Sequence, residues 1–283
     1  MNRVWNGKLA KPIPVIPENP VWSEYVQLDE VQDMLADDRH LPIGYDLHNA
    51  APYGIDLSKI YSYVISGKAR TGKTNLLRIL MMGAKAKGGK ICIIDTAAGE
   101  LKPVAVALEA EYVSNELEQF EFFKALLPTF VARNKLKKAW TADDLEDWEI
   151  YDRMQKEAEK YCIFIADLPM FVKSIYKPED PTHDIKGFLE NITDKGRLHH
   201  VFFFSCLNQD EWGNVTGFKV FDQMVRFKTG LHLGGNVSAQ RMFNFDYLPY
   251  MEQGKAQKIG IGLLPVMDDD QETERIVIPL ARG

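Results

Sequence analysis

Residues Tyr61–Ile79, YSYVISGKARTGKTNLLRI, limit what this chain can fold into more than any other stretch. Tyr61 to Ser66 is β-branched and aromatic and reads as a strand. Gly67-Lys68-Ala69-Arg70-Thr71-Gly72-Lys73-Thr74 fits the spacing G-x-x-x-x-G-K-[ST], and a helical pattern starts at Asn75. A strand, a glycine-bounded loop and a helix N-terminus together satisfy the requirements of a triphosphate cradle. The glycines allow a tight turn in which successive backbone N–H groups point at phosphate oxygens. Lys73 is positioned to reach the β- and γ-phosphates, and the Thr74 hydroxyl to ligate Mg²⁺. The expected nucleotide contacts are therefore Gly67, Lys68, Ala69, Arg70, Thr71, Gly72, Lys73, Thr74 and Asn75, with ATP and Mg²⁺ as the ligands.

At 283 residues the chain can bury a full α/β core. A net charge of −6 gives no global field favouring nucleic acid. No apolar run approaches the length of a membrane span, and the N-terminus lacks the pattern of a secretion signal, so a cytoplasmic chain is expected. Cys92, Cys162 and Cys206 each sit inside an apolar run, far apart and odd in number. They read as small buried hydrophobes in a reducing compartment, not as a disulfide or metal framework.

Taken in order, the proline-rich residues 1–20 read as an extended arm. Tyr25–Ala36 reads as a short helix and Leu41–Leu57 as a β-hairpin leading to the core strand. After the loop, a helix runs from Asn75 to Lys87 and ends at Gly88-Gly89. Ile91–Ile94 is a short apolar strand closing on Asp95. Helical pattern then runs from a Ser114 N-cap to about Lys160, divided by Pro128 and a cap signal at Thr141–Asp144. Tyr161–Ala166 is another buried strand, ending at Asp167. Asp184–Lys195 is a helix stopped by Gly196, and Val201–Ser205 is a fourth strand. Strands are expected at Lys228–Leu233, Lys258–Leu264 and Arg275–Leu280, with a helix near Ser238–Phe243. Alternating strands and helices predict a mostly parallel sheet covered on both faces.

A phosphate loop that works on ATP needs a second acid, at the end of a neighbouring strand, in the Mg²⁺ shell. Asp95 and Asp167 both follow apolar strands, and Asp167 is preferred because its strand, the third of the core, is expected near the loop. Hydrolysis also needs a group that positions or deprotonates water. Leu168 follows Asp167, so no acid stands there, and Glu100 is the nearest acid in a comparable loop. Ser205, at the end of the fourth strand, is a candidate γ-phosphate sensor. Asp167 and Ser205 are therefore the expected catalytic residues, and Thr74 with Asp167 the metal set. Arg70, Arg226 and Arg241 are weaker candidates for phosphate contacts. His199-His200 has no metal-ligand spacing around it and reads as structural.

Together these segments resemble the FtsK/SpoIIIE-type ATPases. The likeness runs from Leu41-Pro42-Ile43-Gly44 through the loop, then Ile94–Leu101, then Tyr161–Asp167 in the Walker B place. His200–Cys206 resembles that family's histidine-apolar-alanine-threonine-glutamine strand, and Ser238–Arg241 and Gly254 echo its C-terminal signals. Within the family the chain is most similar to the C-terminal ATPase module of EssC/YukBA-like type VII secretion proteins. Pro12–Pro20 followed by Trp22 looks like the connector between their modules. The resemblance implies a RecA-like P-loop NTPase fold with a mostly parallel sheet flanked by helices, plus an N-terminal arm and hairpin. It implies residues 1–40 as linker and 41–283 as the ATPase domain. It also implies a cytoplasmic module of a membrane-anchored protein, upstream ATPase modules in the same full-length chain, small helical Esx-type secreted substrates and hexamer-capable assembly. Two departures stand out: Leu168 replaces the glutamate after the Walker B aspartate, and Cys206 replaces the strand-end glutamine. They point to weak or assembly-dependent hydrolysis. An FtsK-like double-stranded DNA translocase is the alternative; the acidic balance argues against it, and nucleic acid is not an expected partner.

Overall fold

Runs such as Ile91–Ile94 and Val201–Phe204 are apolar at every position, so they are stable only where helices cover both faces of a sheet. The computed structural model, which describes residues 15–95, 99–245, 248–265 and 275–282, has this arrangement. The expected arm at residues 1–14 lies outside the described residues. The chain opens with helices α1 (Trp22–Tyr25) and α2 (Asp29–Ala36), then the hairpin of β1 (His40–Asp46) and β2 (Pro52–Asp56). Strand β3 (Ser62–Gly67) leads into α3 (Lys73–Ala86), followed by β4 (Lys90–Ile94), α4 (Lys102–Ala107) and β5 (Glu111–Val113). Helices α5 (Glu116–Ala142) and α6 (Asp147–Glu157) precede β6 (Tyr161–Ile165), α7 (Leu168–Tyr176), α8 (Lys186–Lys195) and β7 (Val201–Asn208). The last part contains α9 (Lys219–Val225), β8 (Gly230–Asn236), α10 (Tyr250–Gln253), β9 (Ala256–Leu263) and β10 (Arg275–Val277).

All ten strands form one sheet in the order β2-β1-β10-β9-β8-β3-β7-β6-β4-β5. From β8 to β5 the neighbours are parallel, and from β2 to β8 they are antiparallel. The β1–β2 hairpin forms as expected, but it caps the antiparallel edge and does not pair with β3. Its connection to the parallel half runs through α3, whose Leu76, Leu80 and Ala84 share one core cluster with Leu41 and Ile43. Tyr25 docks α1 on that edge by donating its hydroxyl proton to the Gly44 carbonyl (2.7 Å) and accepting from the Gly44 N–H (3.1 Å).

One face of the sheet is covered by α3, α4 and α6, the other by α7, α8, α9 and most of α5. Several local expectations shift. Helix α5 starts at an Asn115 cap, not at Ser114: the Asn115 side chain accepts from the Glu118 N–H, and Ser114 bonds the Glu118 carboxylate. Pro128 does not divide α5, which runs for 27 residues. Pro128 is exposed, while buried Phe122, Phe123, Leu126 and Phe130 hold the helix down. A 3₁₀ turn at Val237–Ala239 replaces the helix expected near Ser238–Phe243. Strand β7 runs three residues beyond Ser205, to Asn208.

The base of the sheet is held by polar groups within the core. Arg133 of α5, 5% exposed, donates to the carbonyls of His199, His200 and Glu159 at the starts of β7 and β6. His199 stacks on Phe130, 4.5 Å between ring centroids, and its ring nitrogens meet the Gly196 carbonyl and Asn134. His200 lies against Tyr151 and Phe202.

Burial pushes these rings below the usual imidazole range, His199 to about 4 and His200 to about 3; His232 is likewise lowered to about 4. Their neutral forms are the folded forms, so the associated stability is complete above the unfolded value near 6.5. It is lost as pH falls from there toward 4, by up to about 1.4 kcal/mol per histidine per pH unit. The melting temperature is therefore expected to fall steeply between pH 7 and pH 5, and less steeply in His200→Phe; identical slopes in scanning calorimetry would refute this account.

Candidate nucleotide site

Strand β3 lies between two parallel neighbours, and its last residue, Gly67, is level with Leu233 of β8 and Asn208 of β7. The approach to β8 is close: a Cβ on Gly67 would stand 2.1 Å from the Leu233 carbonyl oxygen. The loop then reverses through left-handed backbone at Arg70 (φ 63°) and at Gly72 (φ 102°), which caps α3. Thr71 braces the turn by donating its hydroxyl proton to the Lys68 carbonyl (2.8 Å). The free N–H groups and positive dipole end of the 14-residue α3 face this loop, the electrostatics an anion needs.

Lys73 folds over the loop, its ammonium donating to the carbonyls of Gly67 (3.1 Å) and Lys68 (2.6 Å). Phosphate oxygens would exchange for these carbonyls at the same nitrogen. Burial lowers the Lys73 pKa, while Cys206 and the carboxylates of Asp167, Asp210 and Glu211 pull it back up. The ammonium thus stands among acids from two loops. The Cys206 thiol is pushed up to about 12 by burial, against the opposing effect of Lys73, and stays protonated.

Asp167 follows β6, one strand beyond β7 from the loop strand. Its side chain caps α7 by accepting from the Met170 N–H (2.8 Å), and it is half-buried. Asp95 ends β4, one strand farther away, and is committed elsewhere: it accepts from the Leu101 N–H (2.8 Å) and the Tyr112 hydroxyl (3.2 Å). Thr74 is half-buried in the first turn of α3. A hydroxyl and a carboxylate are hard oxygen donors, suited to a Mg²⁺ ion that completes its shell with phosphate and water. Thr74 and Asp167 have the donor chemistry that such an ion takes.

Other expected residues lie elsewhere. Ser205 is fully buried and level with Val64, three residues before Gly67. Its neighbours Phe204 and Cys206 belong to the core cluster under α3, whereas Phe203 and Leu207 belong to the opposite one, so Ser205 sits on the face away from α3. The Asn75 side chain turns to the C-terminal segment, donating to the Pro279 carbonyl (2.8 Å) and accepting from the Ala281 N–H (2.8 Å). Leu280 in turn exchanges backbone bonds with Pro20 and Trp22. Glu100 is exposed, and its carbonyl accepts from Arg78. Arg226 lies over Phe227 and acts electrostatically on Tyr61, at the end of β3 remote from the loop.

Two features went unread in the sequence. Gly234-Gly235, at a bulge between β8 and β9, lets β8 pass beside the loop: a Cβ on Gly234 would meet Thr71 at 2.5 Å. A 3₁₀ turn at Gln209–Asn214 follows β7, and its first residue, Gln209, lies near Lys68 of the loop, with Asp210 and Glu211 next in the chain. The glycine doublet and the run Asn208-Gln209-Asp210-Glu211 after an apolar strand were the available signals.

Sheet order, loop and strand-end acid define a P-loop α/β module of the kind found in ATPases. Neither protein-family models nor curated proteins returned a match. Solved structures do match. The cytoplasmic domain of EssC superposes with a TM-score of 0.75 at 16% identity, covering 96% of this chain and 49% of that one. EccC from Thermomonospora curvata (ATPases 2 and 3, in complex with a signal sequence peptide) gives 0.68 at 16% identity, covering 99% and 46%. The pCW3 conjugation coupling protein TcpA with ATPγS gives 0.63 at 14% identity, covering 95% and 71%. The chain has the fold of these ATPase domains and spans about half the length of the EssC and EccC structures.

Gly234→Ala should press on Thr71 and lower MgATP affinity several-fold in calorimetric titration. Gly88→Ala, at a comparable φ of 69° with open space around it, should lose only the ~1–2 kcal/mol of left-handed backbone strain and keep its affinity. Equal affinities in both variants would exclude the brace.

Proposed function

We propose that this chain is an ATP-binding module of a bacterial type VII secretion motor, with weak or assembly-dependent hydrolysis. The observation that carries the reading is the loop's placement: Gly67–Thr74 stands at the end of the strand flanked by β7 and β8, and Asp167 stands across β7. The likeness to EssC along 96% of the chain supports the secretion context. In this reading Gly67–Thr74 binds the phosphates, Lys73 neutralises their charge, and Thr74 with Asp167 holds Mg²⁺. Mg²⁺, when bound, offsets charge on the β- and γ-phosphates. The partners are upstream ATPase modules of the same full-length protein, Esx-type secreted substrates and copies of the module in a hexamer. The module sits on the cytoplasmic side of a membrane-anchored protein; no helix among the described residues is long and apolar enough to cross a membrane.

Titration calorimetry tests the binding half. Wild type should take up MgATP, and Lys73→Ala should bind roughly 10–100-fold more weakly, the loss expected for charge-assisted hydrogen bonds to phosphate. Equal heats from the two proteins would end the nucleotide reading. Turnover by the isolated chain should lie far below the ~10 s⁻¹ typical of enzymes.

A further inference from the structure

The usual place for a water-activating acid is closed in this protein. Leu168 follows Asp167 and is fully buried in the α7 face of the core. Its side chain has no proton-accepting atom. If the module hydrolyses ATP, another group must receive the proton of the attacking water.

The turn Gln209–Asn214 meets the geometric requirements. It begins one residue past Asn208, the register partner of Gly67, so it leaves the sheet beside the first residue of the loop. It packs against α7, the helix that Asp167 caps, and so spans the space between the loop and the strand-end acid. Gln209 anchors it. That residue is 7% exposed, and its Oε1 has no hydrogen-bond partner. Oε1 lies 3.0 Å, and the Lys68 Cβ 3.2 Å, from the point where a Cβ on Gly235 would be, so the unpartnered oxygen lies against the base of the loop.

The two residues after this anchor are acids. Asp210 is exposed and Glu211 half-buried, and neither side chain is engaged in an ion pair or side-chain hydrogen bond among the described residues. Asp167, by contrast, spends one oxygen on the α7 cap. Both acids of the turn also act on the Lys73 ammonium, the group aimed at the β- and γ-phosphates.

We propose that the Asp210-Glu211 turn supplies the proton acceptor for ATP hydrolysis, in place of the residue after Asp167. The assignment rests on the proposed ATP-binding role. In the step, the water oxygen forms a bond to the γ-phosphorus while the bond from that phosphorus to the β,γ-bridging oxygen breaks. The bonding pair leaves with ADP, and the water proton passes to a carboxylate of the turn and then to solvent, leaving inorganic phosphate. Lys73 stabilises the charge building on the phosphates.

The test compares wild type, Asp210→Asn, Glu211→Gln and the double variant, each checked for an unchanged melting temperature. MgATP affinity is measured by calorimetry, and hydrolysis in single turnover with protein in excess. The expected result is affinity within about threefold of wild type and a rate at least about 100-fold lower in the double variant. One single variant should carry most of that loss and so identify the acceptor. The proposal is overturned if the double variant hydrolyses within threefold of wild type. It is also overturned if wild type binds MgATP without hydrolysing it, or if the variants lose affinity as much as rate, which would make the acids ligand contacts. Failure of wild type to bind MgATP at all would instead remove the ATP-binding reading, and this assignment with it.

Discussion

At Gly67 the backbone of β3 runs so close to the Leu233 carbonyl of β8 that a Cβ would stand 2.1 Å from it, and the position of the loop follows from that contact. Parallel pairing with β8 on one side and β7 on the other leaves the chain one direction to go, up and over the sheet end. The left-handed turns at Arg70 and Gly72 then deliver it to the first turn of α3. Thr71, packed against Gly234, stops the loop from relaxing sideways. The cradle is thus a property of three strands and their register, not of eight residues alone.

That dependence explains which parts of the site could be read in advance. The nucleotide-binding spacing and the apolar runs that become β3, β4, β6 and β7 are local patterns, and burial on both faces of a sheet enforces them. The place of Asp167 at the end of a strand was legible from the apolar run before it. Ser205 was not placed correctly because β7 continues to Asn208, three residues past the expected end; that extension moves the polar strand tip from Ser205 to Asn208 and Gln209. The reach of Asp210 and Glu211 depends on the same register, which no local pattern states. Asn115 displaced Ser114 as the α5 cap because two adjacent residues were both competent caps, and only tertiary packing chooses between them.

The electrostatics of the loop are correspondingly divided. α3 presents partial positive charge, and Lys73 a full one that burial makes less favourable. Cys206 faces that ammonium as a neutral thiol, so negative charge near Lys73 comes from Asp167 on one side and the turn after β7 on the other. Asp167, Asp210 and Glu211 thus favour the charged form of Lys73 against the burial that disfavours it.

Asn75 gives α3 a second attachment. Its amide grips the backbone on both sides of Leu280, and Leu280 is laced to Pro20 and Trp22 by two backbone hydrogen bonds (2.8 and 2.9 Å). Tension applied to the chain ahead of Pro20 would be carried across those two bonds to Leu280, and from there through one side chain to the first turn of α3. The tie between the chain ahead of Pro20 and α3 is thereby only a few residues long, and shortening the Asn75 side chain would release it.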